Sequence, residues 1–450
     1  MIYSLVFSAL LYAVPFICSD YLWWLIFLFP VPLFYGALHQ RFTFKDGLIW
    51  GVVAFGFQLS GIAIVVTEML QGLLFLTIIP TLVLVFYFAL CAGFWFWLTN
   101  GVSRLIKGAS PIGIIVLWIF SLWLFIIWID QYSLWILGRC EGDFFMHPLL
   151  PLATHPQLLR LVPCIGKPLL TLLFLTVPAC SALFLYKKNK ITLFIMGISV
   201  LPWFFFLLIA PTTQKRPDWI YTISTLPMIF AQSDDLGATI YAMQQQFCTA
   251  ITQKPRTEII IMPESSFYCD TLETRSELLA LWDKGHLTKP VHIILGAFRK
   301  HNKKYRNCLY WVYDGKMQQC FDKKHAMPLI ERELPWLSLD QQKHFFGTFW
   351  PIEPSLINRP LLSLNGTIEL IPYICSELFF NEKPDDGWPK KTILAICNDY
   401  WFGMSRYPTY VQKLMLLIAR FRAIQWQRPI IYVSFSCTMY CNQDGSAIRI

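Results

Sequence analysis

The first 210 residues of this 450-residue chain carry one apolar run after another, each near the length that crosses a bilayer. A membrane-spanning helix needs about 20 such residues. Seven runs meet or approach that length, near 2–18, 21–38, 47–66, 71–99, 112–136, 168–186 and 191–210. The first two are short. The apolar start continues directly into further runs, so it reads as a first transmembrane helix and not as a cleaved leader. Trp23, Trp24 and Trp203 fall near expected ends, where amphipathic rings favour the membrane interface.

Charge divides the chain. Residues 1–210 hold 10 Lys/Arg and 6 Asp/Glu, whereas 211–450 hold 27 and 22. A polytopic membrane domain, 1–210, is therefore followed by a domain of ordinary soluble composition, 215–450. The net charge of +9 splits almost evenly between them. It suits loop topology and anionic lipid head groups, and no nucleic-acid signature accompanies it. Arg41 and Lys45, Arg104 and Lys107, and Lys187, Lys188 and Lys190 mark the even-numbered loops. The positive-inside rule places those loops in the cytoplasm, and seven spans then deliver the second domain to the outer side.

The second domain alternates strand and helix signals. Thr257–Met262, Val291–Ala297, Thr367–Ile371 and Thr392–Ile396 read as buried strands. Leu309–Tyr313 and Lys316–Phe321 flank Asp314-Gly315 and read as a hairpin. Residues 270–285 and 409–427 read as helices. The class is α/β or α+β, with helices covering sheets.

Three reactive residues each follow a strand-like segment: Glu264, Lys323 and Cys375. Strand ends bring side chains to a shared sheet edge, where sites form. A carboxylate, a lysine and a thiol can supply a base, an oxyanion stabiliser and a nucleophile. A thiol with an ordinary pKa near ~8.5 needs a basic or cationic neighbour. Read singly, Cys375 is equally a buried structural cysteine, Glu264 a solvated strand-end acid and Lys323 half of a solvated lysine pair with Lys324.

The motifs around them carry a resemblance. Pro263-Glu264, Phe321-Asp-Lys-Lys-His-Ala-Met-Pro328 with Glu331, Tyr373-Ile-Cys-Ser-Glu377 and Asn398-Asp-Tyr-Trp-Phe-Gly403 occur in that order. Ala419–Gln425 and Arg428-Pro429 follow. Together they resemble the apolipoprotein N-acyltransferase family of the carbon–nitrogen hydrolase, or nitrilase, superfamily. The resemblance implies a polytopic α-helical membrane domain followed by an α/β nitrilase-like αββα sandwich. It implies Glu264, Lys323 and Cys375 as the catalytic set, with Lys323 chosen over Lys324 by its distance from Pro328. Glu331, Tyr373, Ser376 and Glu377 are the expected supporting residues, Ser376 through its backbone N–H.

The implied reaction moves an acyl chain from a phospholipid, through a thioester on Cys375, to the N-terminal amine of a lipoprotein. The implied location is a bacterial inner membrane with the catalytic domain in the periplasm. Neither a cofactor nor a metal is expected, since the eight His show no metal-ligand spacing. Where the family has Gly-Asn on its first strand, this chain has Ser224–Pro227; its expected helix histidine is Met415; and the family's last transmembrane helix has no counterpart before Ile450. A membrane-tethered amidase of the conjugation-associated type and a non-catalytic membrane scaffold are the alternatives. Two further expectations concern His344–Pro351, read as an aromatic lid hinged at Gly347, and a disulfide among Cys248, Cys269, Cys308 and Cys320.

Overall fold

A computed structural model describes residues 2–39, 42–69, 74–106, 110–132, 146–209, 220–222, 245, 247–249, 251–268, 290–301, 304–326, 331, 352–355, 359–364, 366–380, 384, 391–399 and 409–450. The expected helix 270–285, the Ser224–Pro227 departure and the aromatic stretch 344–351 lie outside these residues. Two compact units divide the chain: 1–211 with 404–425, and 212–403 with 426–450.

The first unit is helical. Its elements are α1 (Ile2–Ile17), α2 (Ser19–Leu22), α3 (Pro30–His39), α4 (Phe44–Met69), α5 (Leu74–Leu105), α6 (Pro111–Tyr132), α7 (Val162–Lys187), α8 (Lys190–Leu208) and α9 (Thr409–Trp426). Among the described residues, five stretches are long and apolar enough to cross a membrane: Ser19–His39, Thr81–Leu105, Pro111–Tyr132, Val162–Lys187 and Lys190–Leu208. Ser19–His39 is not one regular helix. A 3₁₀ turn, Trp23–Phe27, separates α2 from α3, and Pro30 offers no N–H to continue the ladder backwards. At 16 residues α1 is about 24 Å long, short of the ~30 Å hydrocarbon core.

An aromatic core holds these helices together. Tyr12, Phe29, Trp50 and Phe55 meet edge-on or tilted, and Trp95 stacks on Phe125. The outward faces are apolar too: Phe94, Trp97, Leu98, Leu201 and Leu208 are all about 60–70% exposed. Water would penalise such a surface, and lipid tails would not. The unit is that of a multi-pass membrane protein. The expected helix 409–427 forms as α9, and its contacts are with this unit. Tyr410 donates to the Gln58 carbonyl at 2.9 Å, and Lys413 pairs with Asp20.

The second unit contains two six-stranded mixed sheets. The first comprises β1 (Ile220–Thr222), β2 (Ile259–Ile261), β3 (Phe267–Tyr268), β4 (His292–His301), β5 (Lys304–Tyr313) and β6 (Lys316–Asp322). Its order is β1-β2-β4-β5-β6, with β3 paired to β4. The second comprises β7 (Leu362–Leu364), β8 (Ile368–Ile374), β9 (Thr392–Ile396), β10 (Ile430–Val433), β11 (Thr438–Cys441) and β12 (Ala447–Arg449), in the order β12-β11-β10-β9-β8-β7. In the first sheet β1, β2 and β4 pair in parallel and β5 and β6 continue antiparallel; in the second, parallel β8, β9 and β10 are flanked by antiparallel strands on both sides.

Alternate residues of each strand fill one shared core: Ile259 and Ile261, Leu362 and Leu364, Leu394 and Ile396, Ile431 and Val433. Period-two alternation aims these side chains at one face, so the sheets are layered face to face. The intervening Ile260, Ile371, Ile393 and Ile430 are buried as well, so both faces are covered. The hairpin turns at Asp314 (φ 50°) and Gly315 (φ 63°). Two left-handed residues in succession make the turn whose twist matches paired strands.

Candidate active site

Three strand ends build the site. Beyond β2, Met262 donates to the Ile294 carbonyl at 2.8 Å and carries the chain alongside β4 into Pro263-Glu264. The approach is close. A Cβ on Gly296 would stand 2.5 Å from the Cα of Glu264 and 2.8 Å from the Pro263 carbonyl oxygen. Only glycine fits there. Lys323 follows β6 directly, with its N–H on the Asn307 carbonyl at 2.7 Å and its carbonyl accepting from Ser355 N–H at 2.9 Å. Cys375 follows β8 and opens a 3₁₀ turn, Cys375–Leu378. Its φ of 50° is the left-handed region, uncommon for a residue with a side chain. Such a conformation at a strand end sets the thiol on a sharp turn.

The side chains converge. Lys323 Nζ lies 2.8 Å from Glu331 Oε1 and 3.4 Å from Glu264 Oε1, and the lysine is 1% exposed. Asn307 on β5 donates its amide to Glu264 Oε1 at 2.5 Å and reaches Glu331 Oε1 at 3.4 Å. The other oxygen of Glu264 accepts the Asn398 N–H at 2.8 Å. Burial alone would strip the proton from Lys323. The charges of Glu331, Glu264 and Cys375 outweigh it and hold the ammonium above its ordinary pKa. Cys375 is thus within electrostatic reach of the lysine. Cys397, at the end of β9, is hydrogen-bonded to Cys375 and also feels Glu264, while burial keeps its own thiol well above the ordinary value.

The remaining expected residues stand further back. Glu377 and Tyr373, expected as supporting residues, are both fully buried. One oxygen of Glu377 accepts the N–H groups of Lys324 (2.7 Å) and His325 (3.2 Å). The other accepts the Ile374 N–H (2.7 Å) and an Arg359 N–H (2.9 Å). A desolvated carboxylate demands such donors. The result is a brace that joins the lysine loop to the cysteine turn. Arg359 lies 3.8 Å over the Tyr373 ring, which also contacts Trp426, so Tyr373 supports that brace from below. Ser376 is buried, and its hydroxyl faces the His325 carbonyl at 3.4 Å. The His325 ring leans on Phe380. Asp399 accepts from the N–H and hydroxyl of Ser436, which fixes the loop after β9.

Sequence reasoning missed Asn307, Arg359 and Gly296. Asn307 sits in an otherwise strand-like run, and a wholly buried amide there needs polar partners. That was the available signal. Arg359 and Gly296 act through neighbours remote in sequence and left no local mark.

No family model matches the chain. An apolipoprotein N-acyltransferase of Rhizobium rhizogenes is 30% identical over 190 residues, 39% of this chain and 34% of the relative. One of Rhizobium etli gives the same figures. One of Allorhizobium ampelinum is 26% identical over 219 residues, 45% of this chain and 39% of the relative. Over these stretches the chain is similar to apolipoprotein N-acyltransferases. The matches span between a third and two fifths of those proteins' length. Among solved structures, a carbon–nitrogen hydrolase of Helicobacter pylori covers 49% of this chain and 82% of its own, at 12% identity and a TM-score of 0.32. A CN-hydrolase superfamily protein of Xanthomonas campestris covers 48% and 81%, at 14% identity and the same score. Kinship rests on the sequence matches, not on these overlays.

Proposed function

We propose that this chain is a membrane N-acyltransferase working through a thioester on Cys375. The observation that carries the proposal is the buried Glu264–Lys323–Glu331 cluster within electrostatic reach of Cys375, which follows β8. Glu264 takes the thiol proton, and the sulfur attacks the carbonyl carbon of a phospholipid ester. Lys323 and the Ser376 backbone N–H stabilise the tetrahedral oxyanion. Collapse breaks the ester bond. Glu264 returns its proton to the departing alkoxide, which leaves as a lysophospholipid. An amine then attacks the thioester, gives its proton to Glu264, and leaves as the amide while the thiol is restored. No nucleotide is consumed, since an ester already carries the acyl group at sufficient potential.

Glu331 holds Lys323 in place, and the extended ion pairing keeps the lysine charged, as an oxyanion stabiliser must be. A membrane unit in the same chain suits a phospholipid donor and a lipid-anchored acceptor such as a lipoprotein. The loop charges favour a periplasmic site at a bacterial inner membrane.

The test is reconstitution of the full chain with chain-labelled phospholipid, followed by intact mass measurement. One acyl adduct on Cys375, discharged by an N-terminal lipopeptide amine, is the expected result. Amide hydrolysis with no adduct would replace this reading by a membrane-tethered amidase. Neither activity would leave a scaffold.

A further inference from the structure

On the opposite face of the strand that carries Lys323, two thiols and a carboxylate converge. Cys308 lies directly across from Asp322 in the β5–β6 ladder, and Cys320 is two residues before Asp322. Alternation therefore puts all three on one face. Leu309 and Phe321 point the other way, into the core between the sheets. The sulfur of Cys308 is 3.0 Å from Asp322 Oδ1, and that of Cys320 is 3.8 Å from the same oxygen. All three donor atoms lie within 4.8 Å of one another.

We propose that Cys308, Cys320 and Asp322 form a binding site for a thiophilic divalent cation of the zinc class. In a tetrahedral site, zinc–sulfur bonds of about 2.3 Å and zinc–oxygen bonds of about 2.1 Å put donors roughly 3.5–3.8 Å apart. The two sulfur–oxygen separations, 3.0 and 3.8 Å, span that spacing. Arg299 and Arg306 donate to the other oxygen, Oδ2, at 2.6 and 2.9 Å. They aim Oδ1 at the sulfurs, as outer-shell partners of a ligating carboxylate do. Their two charges offset the excess negative charge of two thiolates and a carboxylate around a dication.

Binding releases one proton from each thiol, two in all, and forms two metal–sulfur bonds. Three protein donors leave the fourth position open to water. Both cysteines are free thiols in the structure. The expected disulfide fits this pair less well. Their two-residue offset places them on the ladder diagonal, where Cα atoms stand ~7–8 Å apart. That exceeds the reach of a disulfide without backbone movement. The β6 strand is the edge of its sheet, and an ion here would pin the end of that edge one residue before Lys323. Histidine spacing carries no sign of this site, because its ligands come from two strands and include no histidine.

The site stands independently of the acyltransferase reading and is tested without activity. Detergent-solubilised full-length chain is stripped with chelator, incubated with Zn²⁺, desalted and assayed for metal. About one zinc per chain is expected, falling to background in Cys320→Ser and persisting in Cys437→Ser. Substitution with Co²⁺ should produce a sulfur-to-cobalt charge-transfer band in the wild type. Added Zn²⁺ should slow alkylation of wild-type Cys320 by at least ~10-fold, a measurement that needs no variant to fold. Absence of bound zinc in the wild type, retention by a folded Cys320→Ser chain, or recovery of Cys308 joined to Cys320 would each overturn the proposal.

Discussion

Two buried lysines, one in each unit, show how similar ion pairs serve different ends. Lys167 at the start of α7 pairs with Asp130 near the end of α6, both almost fully buried. His147 and Arg422 add to the field there, and burial pushes the His147 pKa down to about 3. The cluster ties together α6, α7, the loop before α7, and α9. Lys323 instead has two carboxylates and a thiol around it. One cation facing one carboxylate closes a packing gap. One cation facing two carboxylates at a strained cysteine turn can act on a reacting group. Burial and pairing are common to both, so they do not by themselves mark a site.

Matched substitutions can break this comparison. Lys323→Met leaves Glu264 and Glu331 without their shared cation, so it should cost about 3–5 kcal/mol of stability and also lower acyl-adduct formation per folded molecule by ~10²–10³-fold, as expected when an oxyanion stabiliser is lost. Lys167→Met should lower stability alone. It strands Asp130 as a buried, unpaired charge, at a cost of about 3–5 kcal/mol. Thermal unfolding and folded yield in detergent would register it, while the folded fraction keeps its turnover per molecule. Equal losses of activity per folded molecule in both variants would show that the two pairs do not differ as described.

The brace and the close approach should have intermediate effects. Glu377→Gln replaces a carboxylate that accepts four hydrogen bonds and leaves Arg359 without its buried counter-charge. We expect about 3–5 kcal/mol of lost stability and a fall in turnover through the displaced lysine loop. Gly296→Ala forces its new methyl against the backbone of Glu264. Overpacking of this kind costs about 1–3 kcal/mol, and turnover should fall further than stability if Glu264, the proposed base, is displaced. Denaturation midpoints measured beside adduct formation would separate the two consequences. A Gly296→Ala chain with unchanged turnover would mean that Glu264 needs no such exact placement.

Much of this was legible in the sequence because it is local. Asp314-Gly315 specified its hairpin, Thr392–Ile396 is the strand read from its apolar run, and the helix expected at 409–427 forms at Thr409–Trp426. The short strands β1, β3, β7 and β10 to β12 gave weak periodicity, and their existence depends on neighbours in the sheet. Motif order located Glu264, Lys323 and Cys375, but not what surrounds them. Asn307 and Arg359 matter only once β5 and the segment before β7 meet distant parts of the chain. Glu377 was expected only as a supporting residue of its motif. Its neighbours, not its own position along the chain, make it a brace.

The smallest expected effect concerns pH and tests what kind of group Lys323 is. Burial tends to lower its pKa, yet Glu331, Glu264 and Cys375 raise it above the ordinary 10.5. A cationic group whose folded pKa is raised contributes stability that is fully present below its unfolded value and is lost only as pH climbs through the folded one. The lysine should therefore stay charged throughout the working range. Its pairing should hold undiminished up to pH 10.5, its unfolded value. The rate of adduct formation should then show no alkaline limb belonging to Lys323 below that pH. Lys323→Arg, whose guanidinium is charged throughout, should have the same profile shape at reduced height, because its fork cannot reproduce the ammonium's geometry. An alkaline limb between about pH 7 and 9 in the wild type that disappears in Lys323→Arg would show the lysine titrating there. It would then be a proton carrier like a general base, and the contrast with Lys167 would lie in proton transfer rather than in a fixed charge.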